Sequence, residues 1–119
     1  MSDKMLSFHY EEAIPILQEL ADIISQKIIL STIDSAKSAQ EIAAENNLPQ
    51  SSTYKKIRKL CNMKLLGVDK IQLNGSGKKV FYYRSKVRSC QFYLRPGESV
   101  LQFEKNEGVC VIEGIRISR

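Results

Sequence analysis

The chain has no tryptophan, only one histidine and only three cysteines. With a single imidazole, His9, there is no Ser-His-Asp set and no His-rich cluster. No paired carboxylates stand out either, so enzymatic chemistry is not expected. The cysteines lie at 61, 90 and 110 and form no CxxC half-site, so no metal and no other cofactor is expected. Their odd number and wide spacing suit reduced thiols in a cytoplasmic protein. Cys61 reads as a core residue, and Cys90 and Cys110 as strand residues. No apolar run approaches the roughly 20 residues of a membrane span. The opening Met-Ser-Asp-Lys lacks the basic-then-apolar order of a secretory signal. The expectation is a cytoplasmic protein with no membrane partner.

What is present is an uneven distribution of charge. The 119 residues carry a net charge of +5. Residues 1–50 hold three lysines and eight acids, a balance of −5. Residues 51–88 hold eleven Lys or Arg and one acid, Asp69, a balance of +10. Residues 89–119 balance at four and four. The surplus therefore sits in one block, which is an electrostatic footprint for a polyanion. Anionic membrane suits it less, because the basic block has no broad Trp, Phe or Leu face.

That block opens with Leu48-Pro49-Gln50-Ser51-Ser52-Thr53-Tyr54-Lys55-Lys56-Ile57-Arg58-Lys59-Leu60-Cys61-Asn62-Met63. At about 100° per residue, Thr53, Ile57 and Leu60 share one helical face, with Cys61 nearby. Lys55, Arg58 and Asn62 fall on the other side, flanked by Tyr54 and Lys59. Pro49 and two serines suit a first turn. A helix over 50–63 would thus have an apolar anchor, free amides at its start and a cationic outer face, as a major-groove reading helix requires. The plainer reading is a solvated amphipathic helix.

The rest of the chain supplies context. Residues 1–9 read as a loose arm. Ile14, Leu17, Leu20, Ala21 and Ile24 recur at helical spacing, and Pro15 suits a first turn, so that helix is expected to begin near Ile14. Ser25 is a candidate cap for a core helix carrying Ile28, Ile29, Leu30 and Ile33. Ser38-Ala39-Gln40-Glu41 is a capping box, opening a helix whose Ala39, Ile42 and Ala43 face inward. Asn47 suits a left-handed turn. After Met63 the period changes. Leu66–Leu73 and Val80–Tyr83 flank Asn74-Gly75-Ser76-Gly77, which predicts a β-hairpin with a flexible tip. Gly75-Ser76-Gly77-Lys78 lacks the spacing of a phosphate loop. Val87–Leu94 and Val100–Phe103 flank Arg95-Pro96-Gly97-Glu98, a type II turn signal. Val109–Ile112 and Ile115–Ser118 read as two more strands of a meander. A helix over residues 85–94 is the alternative for the first of these runs.

A capped helix, a short turn, a basic helix and a basic hairpin make a recognisable series. Residues 25–84 resemble the winged-helix domain of ArsR-like and TrmB-like transcriptional regulators. The resemblance rests on Ile29-Leu30, Glu41-Ile42-Ala43, Leu48 through Tyr54, Ile57-Arg58-Lys59-Leu60, Leu65-Leu66 and Tyr82-Tyr83. It covers about half the chain and is specific to winged-helix DNA binders as a class. Lys64 stands where such regulators usually carry glycine. The capped helix, residues 38–45, lacks the cysteine of metal-sensing members, so metal sensing is not carried over.

The expected fold is α+β, a winged helix-turn-helix of three to four helices and a hairpin wing, with a short C-terminal β extension. The expected division is 1–88 and 89–119, the second part packing on the first or on a dimer partner. The expected function is sequence-specific binding of double-stranded DNA by a transcriptional regulator. Helix 50–63 would read the major groove and the wing, 68–84, would meet the backbone. Gln50, Ser51, Tyr54 and Lys55 are candidates for base edges. Lys56, Arg58, Lys59, Lys78, Lys79 and Arg84 are candidates for phosphates, and Ser38 and Ser52 complete the set. Binding of RNA or of an acidic protein by the same face is the alternative. A homodimer on an inverted repeat is also expected, since one helix contacts few base pairs. Its candidate surfaces are the helix from Ile14 to Ile24 and the tail residues Leu101, Phe103, Val109, Val111 and Ile115, unless these fold back on their own subunit.

Overall fold

Helical spacing of apolar residues gives way to alternation near residue 65, and the chain folds accordingly. The computed structural model describes the backbone of residues 5–8 and 10–106, and the side chains from Ala13 onward. The architecture is mixed α+β, with four helices and two antiparallel sheets among the described residues. In chain order these are β1 (Met5–Phe8), α1 (Tyr10–Leu20), α2 (Ile23–Ser31), β2 (Lys37–Ser38), α3 (Ala39–Glu45), α4 (Gln50–Asn62), β3 (Leu66–Leu73), β4 (Lys79–Ser85), β5 (Val87–Arg95) and β6 (Glu98–Lys105). One sheet has the order β2-β4-β3 and the other β1-β6-β5.

The core lies where the helices meet both sheets. Ile28, Ile42, Ile57, Leu60, Leu66 and Leu101 are fully buried there, with Tyr83 and Phe103 beside them. Truncating one of these aliphatic side chains to Ala would cost about 2–5 kcal/mol. Leu101 and Phe103 thus complete their own subunit's core and are not available as a dimer surface. Val109, Val111 and Ile115, the two strand-like runs that hold them, Cys110 and His9 lie outside the described residues.

Several local expectations need correction. Residues 5–8 are not a loose arm: they pair with β6, from Met5↔Glu104 to Phe8↔Leu101. Their partner is about a hundred residues away, so no local signal announced it. The first helix begins at Tyr10, with Pro15 inside it and exposed. A proline there forfeits one backbone bond, which packing elsewhere on the helix outweighs. The apolar run to Ile24 is broken at Ala21–Asp22. Asp22, not Ser25, caps α2, its carboxylate accepting from Ser25 N at 3.0 Å. Leu30 is not a core residue, being 67 % exposed. It shares an outer stripe of α2 with Ile23, seven residues earlier. The run after Lys86 is strand β5 (Val87–Arg95), as first expected, and not the alternative helix over 85–94.

Other local features match their residues. Both halves of the capping box are made, Glu41 N donating to Ser38 Oγ and Ser38 N to Glu41 Oε1. Asn47, at φ 53°, ends α3, with Leu48 N bonded to Ala43 O at 2.8 Å. Lys64, at φ 64°, ends α4 in the same way, with Leu65 N bonded to Leu60 O at 3.0 Å. These are Schellman ends, which favour glycine, and neither residue is one. The β3–β4 hairpin forms as expected, and its tip, expected to be flexible, carries its own hydrogen bonds. Gly77 N donates to Asn74 O, and Asn74 Oδ1 accepts from Ser76 N and Lys78 N. Gly77, at φ 81°, supplies the left-handed residue that closes such a loop. Gly97, at φ 75°, plays the matching part in the Pro96-Gly97 turn.

Candidate nucleic-acid interface

Helix α4 is placed by its buried stripe. Thr53, Ile57 and Leu60 are 0 % exposed, which turns the opposite side outward. Thr53 Oγ1 donates to Pro49 O at 2.8 Å, tightening the first turn. Pro49 is the cap and makes no side-chain cap bond, so the first amides of α4 have no intrahelical acceptor. Gln50, Ser51, Lys55 and Asn62 are exposed, and Ser52, Tyr54 and Arg58 half-buried.

The two flanks of α4 differ. On one flank, Lys56 and Lys59 turn to a single buried acid at the end of α1. Glu19, 4 % exposed, meets Lys56 Nζ at 3.0 Å and Lys59 Nζ at 3.1 Å, and its Oε2 accepts from Ser25 Oγ at 2.6 Å. Asp22 adds a longer contact to Lys56, 3.7 Å. Burial by itself would raise the Glu19 pKa. The Ser25 hydroxyl and the two ammoniums outweigh it and hold the carboxyl at about 2. The Glu19 carboxylate in turn raises the Lys56 pKa. Lys56 is therefore a tie between helices, and Lys59, still largely exposed, is partly neutralised. Nothing local in 50–63 reveals this. Nor does α1 announce it: on the helical wheel Glu19 falls on the side away from Ile14, Leu17 and Leu20, where a solvated acid is the ordinary reading.

The other flank opens on a cleft. Its walls are the start of α3, the β3–β4 hairpin and Tyr54 of α4, and its volume is about 530 Å³. Lys78 and Lys79 line it with Ser38, Gln40, Asn74 and Phe81, and none of the described residues lining it is an acid. Lys55, Lys78 and Lys79 make no ion pair with any described residue. Asn74 and Phe81 were not singled out from the sequence. Ser38 is at the rim but 6 % exposed, with its hydroxyl already accepting in the capping box. Arg84 is held at the hairpin base, Nε donating to Ile33 O at 3.0 Å. Arg58 lies near Tyr83, where its buried Nε finds no acceptor among the described residues. A buried donor of this kind is completed by a water or a ligand oxygen. Burial pushes the Tyr83 phenol up, so it stays a neutral hydroxyl.

The cysteines have different surroundings. Cys61 is half-buried, and burial pushes its thiol up to about 12, which removes thiolate chemistry at neutral pH. Cys90 is exposed on β5. Among the described residues no group of three His, Cys, Asp or Glu is placed to hold a metal. No helix among them is long and apolar enough to cross a membrane.

The chemistry of this face is cationic: the start of α3, the Tyr54 side chain and two lysines with no ion pair among the described residues surround a cleft whose described lining holds no acid. A comparison with protein-family models finds no match, and a comparison with curated proteins finds none either.

Proposed function

We propose that this protein is a winged helix-turn-helix transcriptional regulator that binds double-stranded DNA in a sequence-specific way. On this reading α3 and α4 are the helix-turn-helix and the β3–β4 hairpin is the wing. The observation that carries it is the cleft between the start of α3, the hairpin and Tyr54 of α4, which holds Lys78 and Lys79 and no acid among its described lining residues. Gln50, Ser51, Tyr54 and Lys55 reach toward base edges. Lys78, Lys79 and Arg58 meet phosphates. Lys56 and Lys59 serve first to fix the angle of α4 through Glu19. Two copies on an inverted repeat would supply the selectivity that one short helix lacks.

The test is a gel shift with random duplex, single strand and RNA over a series of salt concentrations. Three phosphate-facing cations per protomer, Arg58, Lys78 and Lys79, imply a log–log salt slope of about −2.7 per protomer. Duplex preferred, with that steepness, supports the reading. Tighter binding to RNA, or affinity insensitive to salt, overturns it. Selection from a random duplex pool then identifies the operator.

A further inference from the structure

Strand β5 runs nine residues at the edge of its sheet, and among the described residues nothing pairs with its outer side. Proteins usually blunt such an edge with proline, charge or a bulge. From Ser89 to Leu94 there is no proline and no charged residue, and the register shift lies before Ser89. The two-residue turn makes Arg95 and Glu98 the closing hydrogen-bonded pair. Alternation then points the amides and carbonyls of Cys90, Phe92 and Leu94 to the open edge. Cys90 and Phe92 lie opposite Phe103 and Leu101 of β6, on the sheet face that carries the core. They extend past the helices, leaving Phe92 37 % and Leu94 75 % exposed. Beside them is an open groove of about 420 Å³, whose lining includes Leu17, Leu20, Ala21, Leu30, Cys90 and Phe92. An unpaired backbone edge and an apolar groove therefore adjoin.

We propose that β5 pairs antiparallel with β5 of a second copy about a two-fold axis, joining two three-stranded sheets into one of six and covering both grooves. Charge selects the occupant. The strand's two charges, Arg88 and Arg95, sit near its ends. Full overlap of Val87–Arg95 places the axis at Gln91, so Arg88 faces Leu94, Arg95 faces Val87 and Cys90 faces Phe92. No like charges meet, and Arg88 is already held by Asp34 at 3.2 Å. A polyanion is better served by the cationic cleft than by this nearly uncharged edge. A paired strand about 30 Å long, with the groove beside it about 10–15 Å wide, covers roughly 300–450 Å² per copy. That is below the roughly 800 Å² per partner of a standard interface, so association at about ten to a hundred micromolar is expected. The pairing does not depend on the reading of the cationic face as a DNA-binding surface.

The experiment is sedimentation equilibrium of the full chain, without DNA, from about 5 to 300 µM. A monomer–dimer equilibrium is expected. Phe92→Lys and Leu94→Lys, both at exposed positions, should each weaken it at least about tenfold while circular dichroism stays unchanged. Gln91→Cys in a Cys90→Ser background should form a covalent dimer on mild oxidation. Directly opposed, non-hydrogen-bonded residues have Cα atoms about 4.5 Å apart, within disulfide range. A monomer at the highest concentration overturns the proposal. So does a dimer that ignores both lysines and forms no 91–91 bond. Amides of Cys90, Phe92 and Leu94 that resist exchange in a monomer would show that the chain covers its own edge, which also overturns it.

Discussion

The β3–β4 and β5–β6 hairpins are built alike and finished differently. Each pairs two strands of seven to nine residues around a tight turn with a left-handed glycine, and each sends apolar residues into one shared core. The first carries Lys70, Lys78, Lys79 and Arg84 against one acid, Asp69, and its tip is polar. The second sets Arg88, Arg95 and Lys105 against Glu98 and Glu104, a surplus of one, and its outer strand presents Cys90, Phe92 and Leu94. One backbone unit thus supports two kinds of contact. A surplus of one sign recruits an anion over distance; apolar surface holds only what fits it closely.

Charge reversal is the strongest way to break this contrast. Lys78→Glu with Lys79→Glu should lower duplex affinity about a hundredfold at moderate salt and flatten the salt slope by about two, read by fluorescence anisotropy. Phe92→Lys should leave the slope per protomer unchanged. An equal loss from both variants would mean that the hairpins do not divide the work.

The next effect concerns α4, which carries the cationic face. Glu19→Gln should cost about 2 kcal/mol at pH 7 in urea unfolding, because Lys56 loses its main partner while still partly buried. The sign with pH follows from the depressed carboxyl. Glu19 titrates near 4.5 when unfolded and at about 2 when folded. Its contribution is complete above pH 4.5 and is lost as pH falls through 2. The gap between wild type and variant should therefore narrow between those values. A gap constant down to pH 2 would show that the ammoniums do not hold the carboxylate.

Smaller effects sharpen the edges of the cationic face. Ser38→Ala should cost about 1 kcal/mol through the lost cap and change duplex affinity less than twofold, since the hydroxyl is engaged in the capping box. A larger loss of affinity at unchanged stability would make Ser38 a DNA contact. Lys64→Gly should stabilise the protein by about 0.5 kcal/mol, relieving a left-handed residue at the end of α4. Calorimetry would register it as a rise of a few degrees in Tm.

What could be read ahead followed the range of the interaction. The Ser38–Glu41 box, the left-handed Asn47, the buried face of α4 and the Pro96-Gly97 turn depend on residues within a few positions of one another, and each is legible. Helical period located the Lys55 and Arg58 face for the same reason. The Glu19 tie joins residues 37 apart in sequence, so Lys56 and Lys59 looked as available as Lys55. The pairing of β1 with β6 spans almost the whole described chain. Leu30 was misplaced because a fully apolar helix segment does not say which side faces inward.

Asn106 sets an order of events. Its side-chain amide donates to Ile33 O at 2.8 Å and Ser85 O at 2.9 Å, and its backbone N–H to Lys86 O at 3.0 Å. These bonds fasten the end of β6 to the loop after α2 and to the junction of the two hairpins. The contact with Ile33 closes a loop of 73 residues, whereas the helices and the first hairpin form from neighbours. A chain growing on the ribosome can therefore fold through Ser85 while the places of Leu101, Phe103 and Asn106 stand empty. At about 5–20 residues per second, residues 87–106 take roughly one to four seconds to follow. Over that interval the nascent protein shows an unfilled core, and a chaperone that binds apolar clefts would find it then and not afterwards.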